Sequence, residues 1–117
     1  MQTYRQGDVV RVPFPYTDRN TRQYRPALVI SAGPIGDAET LLWVVMITSA
    51  ANRRWRDDIS LETGYAEAGL PAPSVIRPTK IATIDVAMAD RLGEIPSPLL
   101  ADVMRRVRLI LGEARQG

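Results

Sequence analysis

Two residues, Arg25 and Thr48, combine useful chemistry with a position at a strand end. Arg25 precedes Pro26, which restricts it to extended conformations where a polar loop meets an apolar segment. Thr48 closes a second apolar segment. If the two segments pair as antiparallel strands, the guanidinium and the hydroxyl meet at one rim of the sheet. Such a pair suits phosphate binding, although both residues also fit the simpler role of marking strand ends.

The residue types that are missing narrow the possible chemistry. The chain of 117 residues contains no cysteine and no histidine. A thiolate nucleophile, a Ser-His-Asp triad and a zinc site of the Cys/His kind are therefore excluded. If the protein is an enzyme, its working groups must come from Arg, Lys, Asp, Glu, Ser, Thr and Tyr.

The basic residues are almost all arginines. Lys80 is the single lysine among 15 basic residues, and the net charge is +2. The planar guanidinium binds phosphate through two donors and stacks on bases, which an ammonium does not do. A GC-rich genome would also favour arginine codons, so composition permits nucleic-acid binding without requiring it.

The hydropathy pattern predicts that strands carry these residues. Alternation around Val10, Val12 and Phe14 is typical of a half-buried strand, and longer apolar runs indicate central strands. Further strands are predicted at Pro26–Ser31, Thr40–Thr48, Ile59–Glu62 and Ser74–Ile84. The segment Ser74–Ile84 is predicted to form one or two strands, with Pro78 as a break. A helical turn is predicted over Asp85–Arg91.

One longer helix is predicted at the end of the chain. Ser97 suits an N-cap and Pro98 the first helical position, and an apolar stripe follows at helical spacing. The expected fold is mostly β: a small, bent antiparallel sheet or barrel with a C-terminal amphipathic helix, in a single domain over residues 1–117. No apolar run approaches the roughly 18 residues of a membrane span, and the N-terminus lacks a signal-peptide core, so we expect a cytoplasmic protein.

Several motifs resemble the MazF/PemK family of toxins. They are Gly7-Asp8-Val9-Val10, Arg25-Pro26-Ala27-Leu28-Val29-Ile30-Ser31, Ile47-Thr48-Ser49, Val75-Ile76-Arg77, Thr83-Ile84-Asp85 and Arg91-Leu92-Gly93. With the terminal helix they cover essentially the whole chain in the family's order. The resemblance implies an SH3-like barrel shared with CcdB toxins, a homodimer, and a type II toxin–antitoxin pair in which an acidic antitoxin is the partner.

The resemblance also implies an activity. Family members cut single-stranded RNA at short sequences without a metal or other cofactor, leaving a 2′,3′-cyclic phosphate and a 5′-hydroxyl, and so inhibit translation and growth. Carried over to this sequence, Arg25 and Thr48 are catalytic, and Arg77 contributes as in the PemK-like branch. Rings and cations in two polar loops are expected to contact the RNA: Tyr16, Arg19, Arg22, Tyr24, Ser49, Arg53 and Arg54, together with Thr79.

The chain departs from the PemK-like branch at two places. Thr79 stands where that branch has an aspartate, and the first long loop has no histidine. An Asp-Arg-His mechanism is therefore in doubt, whereas an Arg25–Thr48 mechanism stays open, with Asp18 as a possible base. Two alternatives remain at this point: a non-catalytic toxin that binds gyrase as CcdB does, and a degenerate binding or regulatory homologue.

Overall fold

Six antiparallel strands and one helix make up the part of the chain that the computed structural model describes, residues 3–14 and 23–113. The strands lie in the order β4-β5-β3-β2-β1-β6, in a sheet that curls into a half-barrel. The predicted mostly-β fold with a C-terminal helix is thus confirmed. The elements are β1 (Asp8–Phe14), β2 (Gln23–Val29), β3 (Leu41–Ser49), β4 (Ile59–Leu61), β5 (Ser74–Asp85), β6 (Asp90–Glu94) and α1 (Ser97–Ile110).

Apolar layers cover both faces of the sheet. Side chains of a strand point alternately to its two faces, so the continuous apolar runs of β2 and β3 are buried on both sides. One face, here called the helix face, carries Val9, Leu28, Val45 and Ile47 and packs against Val103 of α1. The opposite face carries Val10, Val12, Ala27, Val29, Val44 and Met46, and is closed by Tyr4 and Ala89.

The helix begins one residue earlier than a Ser97 cap requires. Pro96 precedes it in extended conformation (φ −69°, ψ 155°) and is itself the cap residue. The Pro96 carbonyl accepts a 3.0 Å hydrogen bond from the Leu100 amide. Ser97 is therefore the first helical residue, and the predicted N-cap is wrong by one position. In the described part of the chain, no helix has the length and apolar character needed to cross a bilayer.

The region around Pro78 forms one strand rather than two. β5 pairs with β3 along its whole length, but the register shifts between the pairs Val45↔Ile81 and Met46↔Arg77. The shift leaves residues 78–80 in a bulge, where a proline without an amide proton is tolerated. The pattern break at Pro78 therefore marks a bulge within a continuous strand.

The predicted helical turn over Asp85–Arg91 is only partly correct. A short 3₁₀ turn spans Val86–Met88, but Asp90 and Arg91 belong to β6, which pairs with β1. β6 lies at the edge of the sheet and its residues are charged, exposed or glycine, so it lacks the alternating apolar pattern by which strands are predicted.

Candidate functional site

The pairing of β2 with β3 runs towards the ends of these strands that carry Arg25 and Thr48. The ladder pairs Ala27 with Met46, and two more pairs follow towards Val29. Since the strands are antiparallel, the same register continued by two residues sets Arg25 opposite Thr48. Both residues lie on the face opposite the helix. Arg25 is half-buried and its Nη2 donates a 2.7 Å hydrogen bond to Gln23 Oε1.

The hydroxyl of Thr48 already accepts a hydrogen bond from the loop that follows β3. Asn52 Nδ2 donates to Thr48 Oγ1 at 2.6 Å, and the Asn52 amide donates to the Ser49 carbonyl at 3.1 Å. A hydroxyl has one proton and two lone pairs. With one lone pair occupied by Asn52, the Thr48 hydroxyl, which is 7 % exposed, keeps its own proton as a donor.

Sequence reasoning did not identify Asn52. Its spacing of four residues from Thr48 is a weak signal, because only the turn that follows β3 brings the amide back to the hydroxyl.

Arg77 lies on the same face as Thr48, but its guanidinium is enclosed. Its Nε and Nη2 donate to the two carboxylate oxygens of Asp58, at 3.0 and 2.9 Å. Nη2 also donates to the Arg53 carbonyl at 2.9 Å, and the guanidinium lies 4.1 Å from the ring centroid of Trp55. The Arg77 and Asp58 side chains are only 7 % and 1 % exposed. Arg77 therefore holds the second polar loop, residues 49–58.

Asp58 is ionised at neutral pH. Burial raises the pKa of its carboxyl. The hydrogen bonds from Arg77 and from the Trp55 amide lower this pKa by more than burial raises it, so it lies below the ordinary 3.8. The pair is therefore a neutralised buried ion pair. A carboxylate with a lowered pKa and both oxygens hydrogen-bonded is a poor proton acceptor.

Two other predicted contact residues face away from Arg25 and Thr48. Tyr24 follows the alternation of β2 to the helix face, where its half-exposed ring lies 4.7 Å from the guanidinium of Arg11. Ser49 is exposed, and its Oγ accepts a 3.1 Å hydrogen bond from the Ala51 amide. The structure therefore does not bring these two side chains to the rim that Arg25 and Thr48 share.

The remaining predicted residues lie around the second loop. Arg54 forms an exposed 2.8 Å ion pair with Glu62, Arg53 is exposed, and Thr79 is exposed in the bulge of β5. Trp55 lies in the same loop, between Arg54 and Arg56. It is 40 % exposed, and the Nζ of Lys80 lies 5.8 Å from its ring centroid. Four residues named from the sequence, Tyr16, Asp18, Arg19 and Arg22, lie outside the described residues.

Comparison with known proteins identifies the family. The family described as PemK-like, MazF-like toxin of type II toxin-antitoxin system matches residues 5–111. MazF from Deinococcus radiodurans is similar in structure, with a TM-score of 0.76, 23 % identity, and coverage of 97 % of this chain and 100 % of that one. No curated protein sequence matches the chain.

Two mycobacterial structures are also similar. An endoribonuclease in complex with its cognate antitoxin from a mycobacterial species has a TM-score of 0.73 at 17 % identity, covering 97 % of this chain and 99 % of that one. The Mycobacterium tuberculosis toxin MazF-mt6 has a TM-score of 0.62 at 18 % identity, covering 87 % and 94 %. Because the family match spans nearly the whole sequence and the curled sheet is the fold of these neighbours, the chain belongs to the PemK-like, MazF-like toxins of type II toxin–antitoxin systems.

Proposed function

We propose that this toxin is an endoribonuclease that cuts single-stranded RNA without a metal. The observation that carries the proposal is the antiparallel register of β2 and β3, which ends at Ala27–Met46 and, continued by two residues, puts Arg25 and Thr48 at one rim. Asn52 donates to the Thr48 hydroxyl, so that hydroxyl keeps its proton for a phosphate. Further support comes from a similar structure, an endoribonuclease bound to its cognate antitoxin. The absence of cysteine and histidine fits a reaction in which the RNA supplies its own nucleophile.

In the proposed reaction the 2′-hydroxyl of one nucleotide attacks the adjacent phosphorus. The bond from the 2′ oxygen to phosphorus forms, and the bond from phosphorus to the 5′ oxygen of the next nucleotide breaks. The 2′ oxygen loses its proton and the 5′ oxygen gains one. The products are a 2′,3′-cyclic phosphate and a 5′-hydroxyl.

The protein's task in this reaction is to stabilise the doubly charged phosphorane. Arg25 offers two parallel donors to the non-bridging oxygens, and Thr48 donates one hydrogen bond. Removing such a donor typically costs about 10²–10³ in rate. Arginine keeps its proton at every accessible pH, so we assign Arg25 an electrostatic role.

The proton acceptor must be a different group. Asp58 is unsuitable because both of its oxygens bind Arg77 and its pKa is lowered. Water or Asp18 in the first loop is the proposed acceptor of the 2′ proton. Arg53, Arg54 and Thr79, exposed around the second loop, are proposed RNA contacts.

We further propose that the toxin works as a cytoplasmic homodimer controlled by an acidic antitoxin. A similar structure contains its cognate antitoxin. An acidic segment would pair with the arginines of the second loop and compete with RNA for them. Released toxin would cut mRNA, and so inhibit translation and growth.

The test is cleavage of a pool of single-stranded RNAs in EDTA by wild type and by Arg25→Ala, with analysis of the product ends. We expect cleavage by wild type only, with cyclic phosphate and 5′-hydroxyl ends. A single 2′-O-methyl group at the cut site should abolish that cut. Wild-type protein that cuts no RNA, and poisons gyrase instead, would contradict the proposal and favour a CcdB-like toxin. Thermal unfolding of Arg25→Ala controls for loss of the fold.

A further inference from the structure

We infer that Arg77 is a positioning residue that shapes the second loop into a surface for one unpaired RNA base, and that Trp55 is the side chain on which this base stacks. The inference rests on the proposed function and deepens it, since it names the residues that select the RNA sequence. It also departs from the role that the family resemblance implies for Arg77, which is a part in the cleavage chemistry.

The surroundings of Arg77 leave little for a phosphate to bind. Its planar fork is matched by the two oxygens of Asp58, at 3.0 and 2.9 Å, and both side chains are buried. The carboxylate neutralises the guanidinium. A phosphate that displaced Asp58 would leave a buried carboxylate without its partner, which is strongly unfavourable.

Arg77 and Asp58 hold the second loop at several atoms. Arg77 donates to the Arg53 carbonyl, and Asp58 Oδ2 accepts a 2.9 Å hydrogen bond from the Trp55 amide. The Asp58 amide returns a 3.3 Å bond to the Trp55 carbonyl. Between them, Asp57 adopts a positive φ of 74°, which is unfavourable for a residue with a side chain and needs such support. The loop is therefore held in one conformation before RNA binds.

Trp55 is the part of this loop best suited to bind a base. The guanidinium of Arg77 lies against its ring, and the side chain is still 40 % exposed. Arg53 and Arg54 beside it are exposed. Unpaired bases stack on aromatic rings, and neighbouring arginines bind the backbone phosphates.

The same loop connects this surface to Thr48. Asn52 lies three residues before Trp55 and donates to the Thr48 hydroxyl. A loop held by Arg77 therefore sets the base-binding ring at a fixed distance from the group that contacts the scissile phosphate. This fixed distance is what a nuclease with a short recognition sequence requires.

The experiment measures kcat and KM on the RNA sequence that wild type cuts best and on single-base variants of it. For Trp55→Ala we expect KM for the preferred RNA to rise and the preference at one base position to fall at least about fivefold. Trp55→Phe keeps an aromatic ring and should keep most of the preference. Arg77→Gln and Asp58→Asn should each lower the same preference, and the double variant should be no worse than either single one.

Two further readouts separate positioning from phosphate binding. Arg77→Lys keeps the charge but loses the fork, so a positioning role predicts that it behaves as Arg77→Gln does. In Arg77→Gln the slope of log affinity for RNA against log salt concentration should equal that of wild type. Loss of a phosphate contact would instead reduce the magnitude of this slope by about 0.7 on single-stranded RNA. Affinity is measured with a 2′-O-methyl RNA that cannot be cut.

The outcomes are distinguishable. Arg77 would be a phosphate ligand if Arg77→Gln lowered kcat by about 10²–10³ and reduced the salt slope while Asp58→Asn kept normal activity. That result would overturn the inference and leave the proposed function standing. Unchanged base preference in Trp55→Ala would also overturn it, and this exposed position keeps the test valid if the Arg77 variants do not fold. Wild-type protein that neither binds nor cuts RNA would overturn the proposed function as well.

Discussion

Asn52 Nδ2 lies 2.6 Å from Thr48 Oγ1, close enough for a strong hydrogen bond between a loop amide and a hydroxyl at the end of β3. The amide can only donate in this contact, so the hydroxyl must accept. The direction of the bond matters for the proposed reaction, since it leaves the hydroxyl proton for the phosphate. Asn52 thus orients the Thr48 hydroxyl.

Replacing Asn52 tests this orientation. Asn52→Ala should lower kcat about tenfold with little change in KM, because the lost bond orients a group that acts in the transition state. Asn52→Asp is the sharper variant. Its carboxylate accepts rather than donates, so it takes the Thr48 proton away from the phosphate and should lower the rate further. Single-turnover cleavage of one RNA measures both rates, and equal activity of Asn52→Asp and wild type would contradict the orientation.

Replacing Thr48 separates its hydroxyl from its shape. Thr48→Val keeps the shape of the side chain and should lose about 10²–10³ in kcat, as expected for a missing oxyanion donor. It should also lower the free energy of unfolding by about 1 kcal/mol, since the Asn52 amide loses its acceptor. Thr48→Ser is the matched control and should retain most of the rate. A Val variant as active as the Ser variant would remove Thr48 from the mechanism.

The Asp58–Arg77 pair predicts a loss of stability in acid. The pKa of Asp58 is lowered in the folded protein, so folding favours the carboxylate. The stabilisation is complete above the unfolded value of 3.8 and is lost as the pH falls through the lower folded pKa. Urea unfolding between pH 7 and pH 3 should show this loss in wild type.

Asp58→Asn is the variant that isolates this effect. It should be less stable than wild type at pH 7 by about 3 kcal/mol, because a buried guanidinium loses its charge partner. The difference between the two proteins should shrink as wild type is acidified. Asp37→Asn, at an exposed carboxylate, is the control and should match wild type. A difference that stays constant from pH 7 to pH 3 would contradict the account.

Local signals predicted the central part of this structure well. Pro26 and two continuous apolar runs were sufficient to predict β2, β3 and their antiparallel pairing. β6 was missed because an exposed, charged edge strand carries no apolar periodicity. The setting of Arg77 was also missed, because its partner Asp58 lies 19 residues away and only the folded second loop brings them together. Contacts of this kind depend on tertiary structure, which spacing along the sequence does not encode.

Tyr24 offers a test of the register itself. It was predicted to contact RNA as one of the rings that accompany the arginines of the first polar loop. Adjacent residues of a strand face opposite sides, however, and the Tyr24 ring lies 4.7 Å from the guanidinium of Arg11. Tyr24→Ala should therefore leave the rate and base preference of RNA cleavage within about twofold of wild type. Its free energy of unfolding should fall by about 0.5–1 kcal/mol, the value of an exposed cation–π contact, and Arg11→Ala should show the same fall without adding to it in the double variant. If Tyr24→Ala instead weakens RNA binding as strongly as Trp55→Ala, Tyr24 contacts the substrate from the helix face and this assignment is wrong.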